Sequence, residues 1–110
     1  MKKIISESLH AFYHGKDFKK SNMQVEINEG GASMYQHGNL IAVKHANTGR
    51  IDITNAGWTS STTKERLNAI ITSAPGARFQ RLFQKDFKWF IERNNGEIIP
   101  FPSDQFFTIN

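Results

Sequence analysis

The chain has 110 residues, with 14 Lys+Arg against 10 Asp+Glu, four His, no Cys and 38% hydrophobic residues. At this length one core is expected and two are not, and the missing cysteines exclude a disulfide framework, a thiolate-bound zinc and a cysteine nucleophile together. No apolar run approaches the roughly 18 residues of a membrane span, and Glu7 arrives too early for a signal peptide, so the expectation is a single soluble domain, residues 1–110, inside a cell.

Within the first twenty residues Ile5, Leu9, Phe12 and Tyr13 form a helical stripe that Gly15 and the charged segment 16–20 interrupt, which predicts a short N-terminal helix at the margin of the fold. From Met23 the apolar residues alternate as Met23, Val25 and Ile27, the period of a half-buried strand. Gly30-Gly31 allows a reversal, and Ala32 to Gln36 and Leu40 to Lys44 flank His37-Gly38-Asn39 as a hairpin. After the turn cluster 46–49, Ile51 and Ile53 share one face of a further strand, completing an antiparallel meander. Asn55-Ala56-Gly57-Trp58 is a loop. A helix then begins at Thr62, which with Glu65 makes a capping box, carries Leu67, Ile70 and Ile71 on one side with Lys64, Arg66 and Asn68 toward water, and stops at Pro75-Gly76. Residues 78–83 and 87–93 are aromatic-rich strands, Asn94-Asn95-Gly96 is a hairpin turn, and Pro100 marks the closing strand 97–101 as an edge strand or marks a strand end. The predicted fold is therefore α+β: a small antiparallel sheet, meander plus C-terminal aromatic hairpin, against one short helix with a second N-terminal one, and with 1–20 and 102–110 peripheral.

Catalytic chemistry finds little support. His10 and His14 stand four apart with Glu7 one turn earlier, a spacing open to a metal, yet no fixed motif surrounds them and solvated histidines account for the pattern. His37 and His45 read as turn and strand-end residues. There is no G-x-S-x-G, no phosphate loop and no dinucleotide fingerprint. No catalytic residue, cofactor or metal is assigned, and the chain is expected not to be an enzyme.

Binding fares better. The segment 78–90 interleaves Arg78, Arg81, Lys85 and Lys88 with aromatics, and the isoelectric point of about 9.6 suits a nucleic-acid partner. Strand parity, however, puts Phe79, Arg81 and Phe83 on one face with Arg78, Gln80 and Leu82 on the other, and Phe87, Trp89 and Ile91 on a core face. A buried aromatic face backed by a solvated basic one is the competing account. Trp58 is either an interface anchor or, as the expected role, a plug at the end of the core. Phe106-Phe107 is expected to fold back onto the body; left free, the pair would serve self-association.

The blocks His37-Gly38-Asn39-Leu40-Ile41-Ala42, Ile51-Asp52-Ile53-Thr54-Asn55-Ala56-Gly57-Trp58 and Thr62-Thr63-Lys64-Glu65-Arg66-Leu67-Asn68-Ala69 resemble a group of small proteins encoded by tailed bacteriophages. The similarity runs from about residue 12 to about residue 101; Thr72 to Asp86 is longer than in that group, and the Phe-rich tail departs from it. The resemblance implies a phage origin, a small α+β domain and action within the cytoplasm of the infected bacterium. It transfers no catalytic motif. The expected function is stoichiometric binding, and inhibition, of a host protein or defence ribonucleoprotein, with Trp58, Arg78, Arg81, Phe83, Lys85, Lys88, Phe106 and Phe107 as candidate contacts. A nucleic-acid-binding accessory protein is the alternative, and it requires residues 78, 81, 85 and 88 to share an exposed surface.

Overall fold

The computed structural model describes residues 2–110. Helix α1 (Lys3–His14) buries Ile5, Ser8, Leu9 and Phe12, the i, i+3, i+4, i+7 pattern of one face. Gly15 ends it at φ 68, a left-handed cap whose N–H reaches Ala11 O. The N-terminal helix expected from this stripe is therefore present, ended at Gly15 as predicted, and it packs on the sheet instead of lying at the margin of the fold. Next come β1 (Phe18–Lys20), β2 (Met23–Asn28), β3 (Gly31–Gln36), β4 (Asn39–His45) and β5 (Ile51–Ile53), then α2 (Ser61–Ser73). The chain closes with β6 (Phe79–Lys85), β7 (Lys88–Arg93), β8 (Ile98–Pro100) and β9 (Phe107–Thr108).

The strands form two antiparallel sheets, not one. Six are ordered β1-β2-β3-β4-β5-β9 and three β6-β7-β8. The meander and the aromatic hairpin therefore exist as predicted but belong to different sheets. Helix α1 lies on the larger sheet through β2 and β3, and α2 lies along β6. One hydrophobic cluster joins all of them: Phe12, Met34, Ile51, Ile53, Leu67, Ile70, Ile91 and Ile109 are fully buried within it.

Strand β1 was not expected. Its three residues pair Phe18 with Val25 and leave Lys19 and Lys20 exposed at the sheet edge, where charge discourages strand addition. Three residues are too few to declare a period. At the opposite edge β9 pairs Asp52 with Thr108 and Ile53 with Phe107, so the segment expected at the periphery is built into the sheet.

Helix α2 starts two residues earlier than the predicted cap. Ser60 is the N-cap, its Oγ accepting from Thr63 N–H at 3.2 Å, while Glu65 turns outward to Lys2 at 3.4 Å and Arg66 at 2.6 Å. Arg66, expected toward water, is buried. The reason is a wider stripe than the apolar residues reveal: Thr63, Arg66, Leu67 and Ile70 follow the i, i+3, i+4, i+7 spacing and all face inward. Asn68 also turns inward. Its side-chain amide donates to Leu82 O and accepts from Leu82 N–H, each at 2.8 Å, so the helix occupies the edge of β6 that β7 leaves open.

Candidate functional site

Three strands decide which side chains meet at the surface of the smaller sheet. A register shift between Phe79 and Arg81 inserts one residue into β6, and a bulge of this kind reverses the inward–outward parity beyond it. Phe79 and Leu82 are consequently both buried. Arg81, Phe83 and Lys85 point outward, opposite Glu92, Phe90 and Lys88 of β7, and β8 adds Ile98 and Pro100 beside Glu92 and Phe90.

The outer face therefore has three rows. At one end Arg81 donates through Nε to Glu92 at 2.7 Å while its guanidinium covers the Phe83 ring at 4.4 Å. In the middle Phe83 and Phe90 stack with centroids 5.7 Å apart and planes at 28°, with Pro100 beside Phe90. At the other end Lys85 and Lys88 stand opposite one another and make no ion pair among the described residues. Like charges placed side by side disfavour the bare face, an electrostatic cost that an acidic partner would relieve.

The β6–β7 turn projects beyond this end. Its two residues, Asp86 and Phe87, have φ 51 and 65, as a type I′ turn requires. Phe87 is 93% exposed. It was expected on the core face with Trp89 and Ile91, which are indeed buried; the strand stops at Lys88, so the parity that governs 89 and 91 does not reach 87.

Beneath the turn runs a groove of about 450 Å³, walled by Phe87, Lys88, Phe90 and Pro100 and by Thr59 of the loop before α2. Trp89 and Phe101 line it from below, their rings 6.2 Å apart. Trp89 is 6% exposed, and its indole N–H is buried with no acceptor among the described residues.

The remaining candidates lie elsewhere. Arg78 is exposed but precedes β6, its backbone tied to Ile109 O and Asn94 N, and strand length places it about 20 Å from Lys85. Trp58 does not plug the core: it is 57% exposed. Asn55, buried in its stead, accepts from Gly57 N–H at 2.8 Å and Asp104 N–H at 2.9 Å, and the positive φ of Ala56 and Gly57 turns the next side chain outward. Phe107 folds back as expected, 5.1 Å from Phe79 and 5.7 Å from Phe101, whereas Phe106 stays 52% exposed. His10 and His14 meet ring to ring at 4.4 Å and Glu7 is held by Lys20 at 3.3 Å. No group of three or more His, Asp or Glu side chains among the described residues is placed to hold a metal, and no described helix is long and apolar enough to cross a membrane.

Sequence reasoning thus singled out Arg81, Phe83, Lys85 and Lys88, which the fold does bring together, and missed Phe90, Pro100 and the Trp89 N–H. Phe90 was accessible from parity alone, as the residue between inward Trp89 and Ile91; the Trp89 donor depends on what surrounds it.

Neither a curated protein nor a solved structure matches the chain. The family model of the Kyanoviridae Gp96 protein matches residues 1–108, a span that includes the blocks 37–42, 51–58 and 62–69 and the outer face just described. The chain belongs to this tailed-phage family, the Kyanoviridae Gp96 proteins.

Proposed function

We propose that this phage protein is a non-enzymatic binder, acting in the cytoplasm of the infected host by occupying a surface of a host protein or ribonucleoprotein and thereby inhibiting it. The observation that carries this reading is the groove under the β6–β7 turn, where Phe87 stands 93% exposed beside Phe90 and Pro100. A large apolar side chain held in solvent on a tight turn has no folding role, and exposed aromatics at the rim of a desolvated pocket are typical binding anchors. The partner would supply an apolar side chain against Phe87, Phe90 and Pro100 and acidic groups for Lys85 and Lys88. A stable interface needs roughly 800 Å² from each side, about one eighth of the 6271 Å² surface.

The test is affinity purification of the tagged chain from host lysate, with and without nuclease and at two salt concentrations, alongside Phe87→Asp. One host complex retained after nuclease and lost with Phe87→Asp is the expected result. Retention of the same complex by the variant rejects the groove as the contact.

A nucleic-acid reading rests on a separate observation: Arg81, Lys85 and Lys88 share one face with the stacked Phe83 and Phe90, a small platform for bases flanked by cations. Three such contacts would give a salt slope of about −2 for a single strand. Arg78 lies outside that face, and Arg81 is already paired with Glu92, so the host-protein reading is preferred. Recovery abolished by nuclease would reverse that preference.

A further inference from the structure

Among the described residues the two sheets end in β1, β9, β6 and β8, and three of these edges are blunted. Strand β1 carries exposed Lys19 and Lys20, β9 is two residues long, and β6 is occupied by Asn68 of α2, which takes both backbone groups of Leu82. Strand β8 has a single neighbour, β7. It consists of Ile98, Ile99 and Pro100, without the charge that discourages strand addition, and Ile98 is 52% exposed.

The hydrogen-bond parity of β8 fixes what that edge presents. Arg93 N–H donates to Glu97 O at 2.8 Å and Phe101 N–H to Trp89 O at 3.0 Å, so the residues that exchange bonds with β7 are the odd-numbered ones. Ile98 and Pro100, opposite Glu92 and Phe90, turn their backbone groups away from β7, and Ile98 N–H, Ile98 O and Pro100 O have no partner among the described residues. Pro100 has no N–H to offer, so the edge carries one donor and two acceptors. Beyond Pro100 the strand ends, and the groove walled by Pro100, Ser103 and Lys88 opens in the row where Lys85 and Lys88 face one another.

We infer that the partner docks here by adding an extended segment of its own as a fourth strand, antiparallel to β8; this rests on the protein-binding reading above and names the form its partner takes. The residue opposite Ile98 exchanges two backbone bonds with it, and the residue opposite Pro100 donates a third. Outer-face side chains of the segment recur at every second residue. Those opposite Ile98 and Pro100 are apolar, beside Phe90, and the one two residues earlier is an Asp or Glu above the groove, where it answers the unpaired Lys85 and Lys88. A second copy of this chain lacks that complementarity. Two-fold pairing of β8 about Ile98 sets Gly96 of the copy opposite Pro100, with its N–H already given to Arg93 O at 2.9 Å, and sets uncharged Asn94 above the groove.

Amide exchange of the isotope-labelled full chain is the first test. Ile98 N–H should exchange at least tenfold faster than Ile99 N–H, which faces Ile91, and should slow at least tenfold in the host complex that the tagged chain retains. Ile98→Pro deletes the one donor of this edge and no bond to β7; it should lower recovery of that complex at least tenfold, and Ile98→Val less than threefold, with the urea midpoint of both unchanged. If Ile98→Pro does not fold, the exchange measurement decides alone. Slow exchange of Ile98 in the free chain overturns the added strand. So does a complex that Phe87→Asp abolishes but in which Ile98 stays unprotected or Ile98→Pro has no effect, and that outcome leaves the groove reading standing. A dimer in sedimentation that Ile98→Pro dissolves overturns the inference in favour of a second copy, and the absence of any specific host complex with the unaltered chain overturns both readings.

Discussion

Phe87 holds a φ of 65 in the β6–β7 turn, a region where a bulky side chain costs about 1–2 kcal/mol. Glycine enters it freely but gives up roughly 0.5–1 kcal/mol of unfolded-state entropy. Phe87→Gly is therefore expected to leave stability unchanged or raise it by up to about 1 kcal/mol in urea denaturation, while host-complex recovery falls; a clear loss of stability would mean that Phe87 packs in the folded protein. Asn68 presents the opposite case. It read as a solvent-facing helix residue, yet both ends of its amide serve the backbone of Leu82. Asn68→Ala removes two hydrogen bonds from a partly buried strand edge and should cost about 2–3 kcal/mol in the same measurement. Nothing in the periodicity of α2 distinguishes Asn68 from an exposed residue, because its partner lies 14 positions away.

At the scale of elements the cap of α2 separates two readings of one Ser/Thr run. If Ser60 is the N-cap, Ser60→Ala should cost about 1 kcal/mol and Thr62→Ala only a few tenths, read by thermal or urea unfolding; the reverse order would restore the predicted capping box. The edge strand β9 is latched to β5 through Asp52, whose carboxylate accepts from Thr108 Oγ1 at 2.5 Å and lies 2.9 Å from His45 Nε2 and 3.3 Å from Arg50. Burial pushes its pKa up, but the hydrogen bonds from Thr108 and His45 and the charge of Arg50 outweigh burial and bring it below the ordinary carboxyl value. A carboxyl lowered on folding contributes stability that is fully present above its unfolded pKa, near 3.9, and is lost as pH falls through the lower folded value. The latch should therefore weaken only below about pH 4. Asp52→Asn is expected to flatten the acid limb of stability against pH, and an unchanged limb would show that Asp52 gains nothing from its partners.

For the molecule as a whole the C-terminal segment is the test of what the core includes. Ile109 is fully buried, Ile109 N–H donates to Ile51 O at 3.0 Å, and its carbonyl accepts from Arg78 N–H at 2.8 Å, so one residue connects the larger sheet to the start of the smaller one. Ile109→Ala should cost about 2–4 kcal/mol by the lost burial and the cavity left behind; a cost below 1 kcal/mol would return the tail to the periphery where sequence alone put it. Residues 102–110 contain Pro102 and scattered polar groups and no strand-length alternation, and β9 exists only because β5 offers an unpaired edge. The local signals were sufficient wherever an element was long enough to repeat its period or was bounded by Gly, Pro or Asn: both helices, the meander from Met23 to Ile53 and the Asn-Gly hairpin were legible in the sequence because their hydrophobic spacing and turn chemistry act between near neighbours. The division into two sheets, the inserted residue in β6 that turns Phe79 inward while Arg81, Phe83 and Lys85 face out, the exposure of Phe87 and Trp58, and the unpaired Trp89 and Gln36 groups were decided only by tertiary structure. Each depends on which distant backbone or side chain fills the space alongside, and no local pattern carries that information.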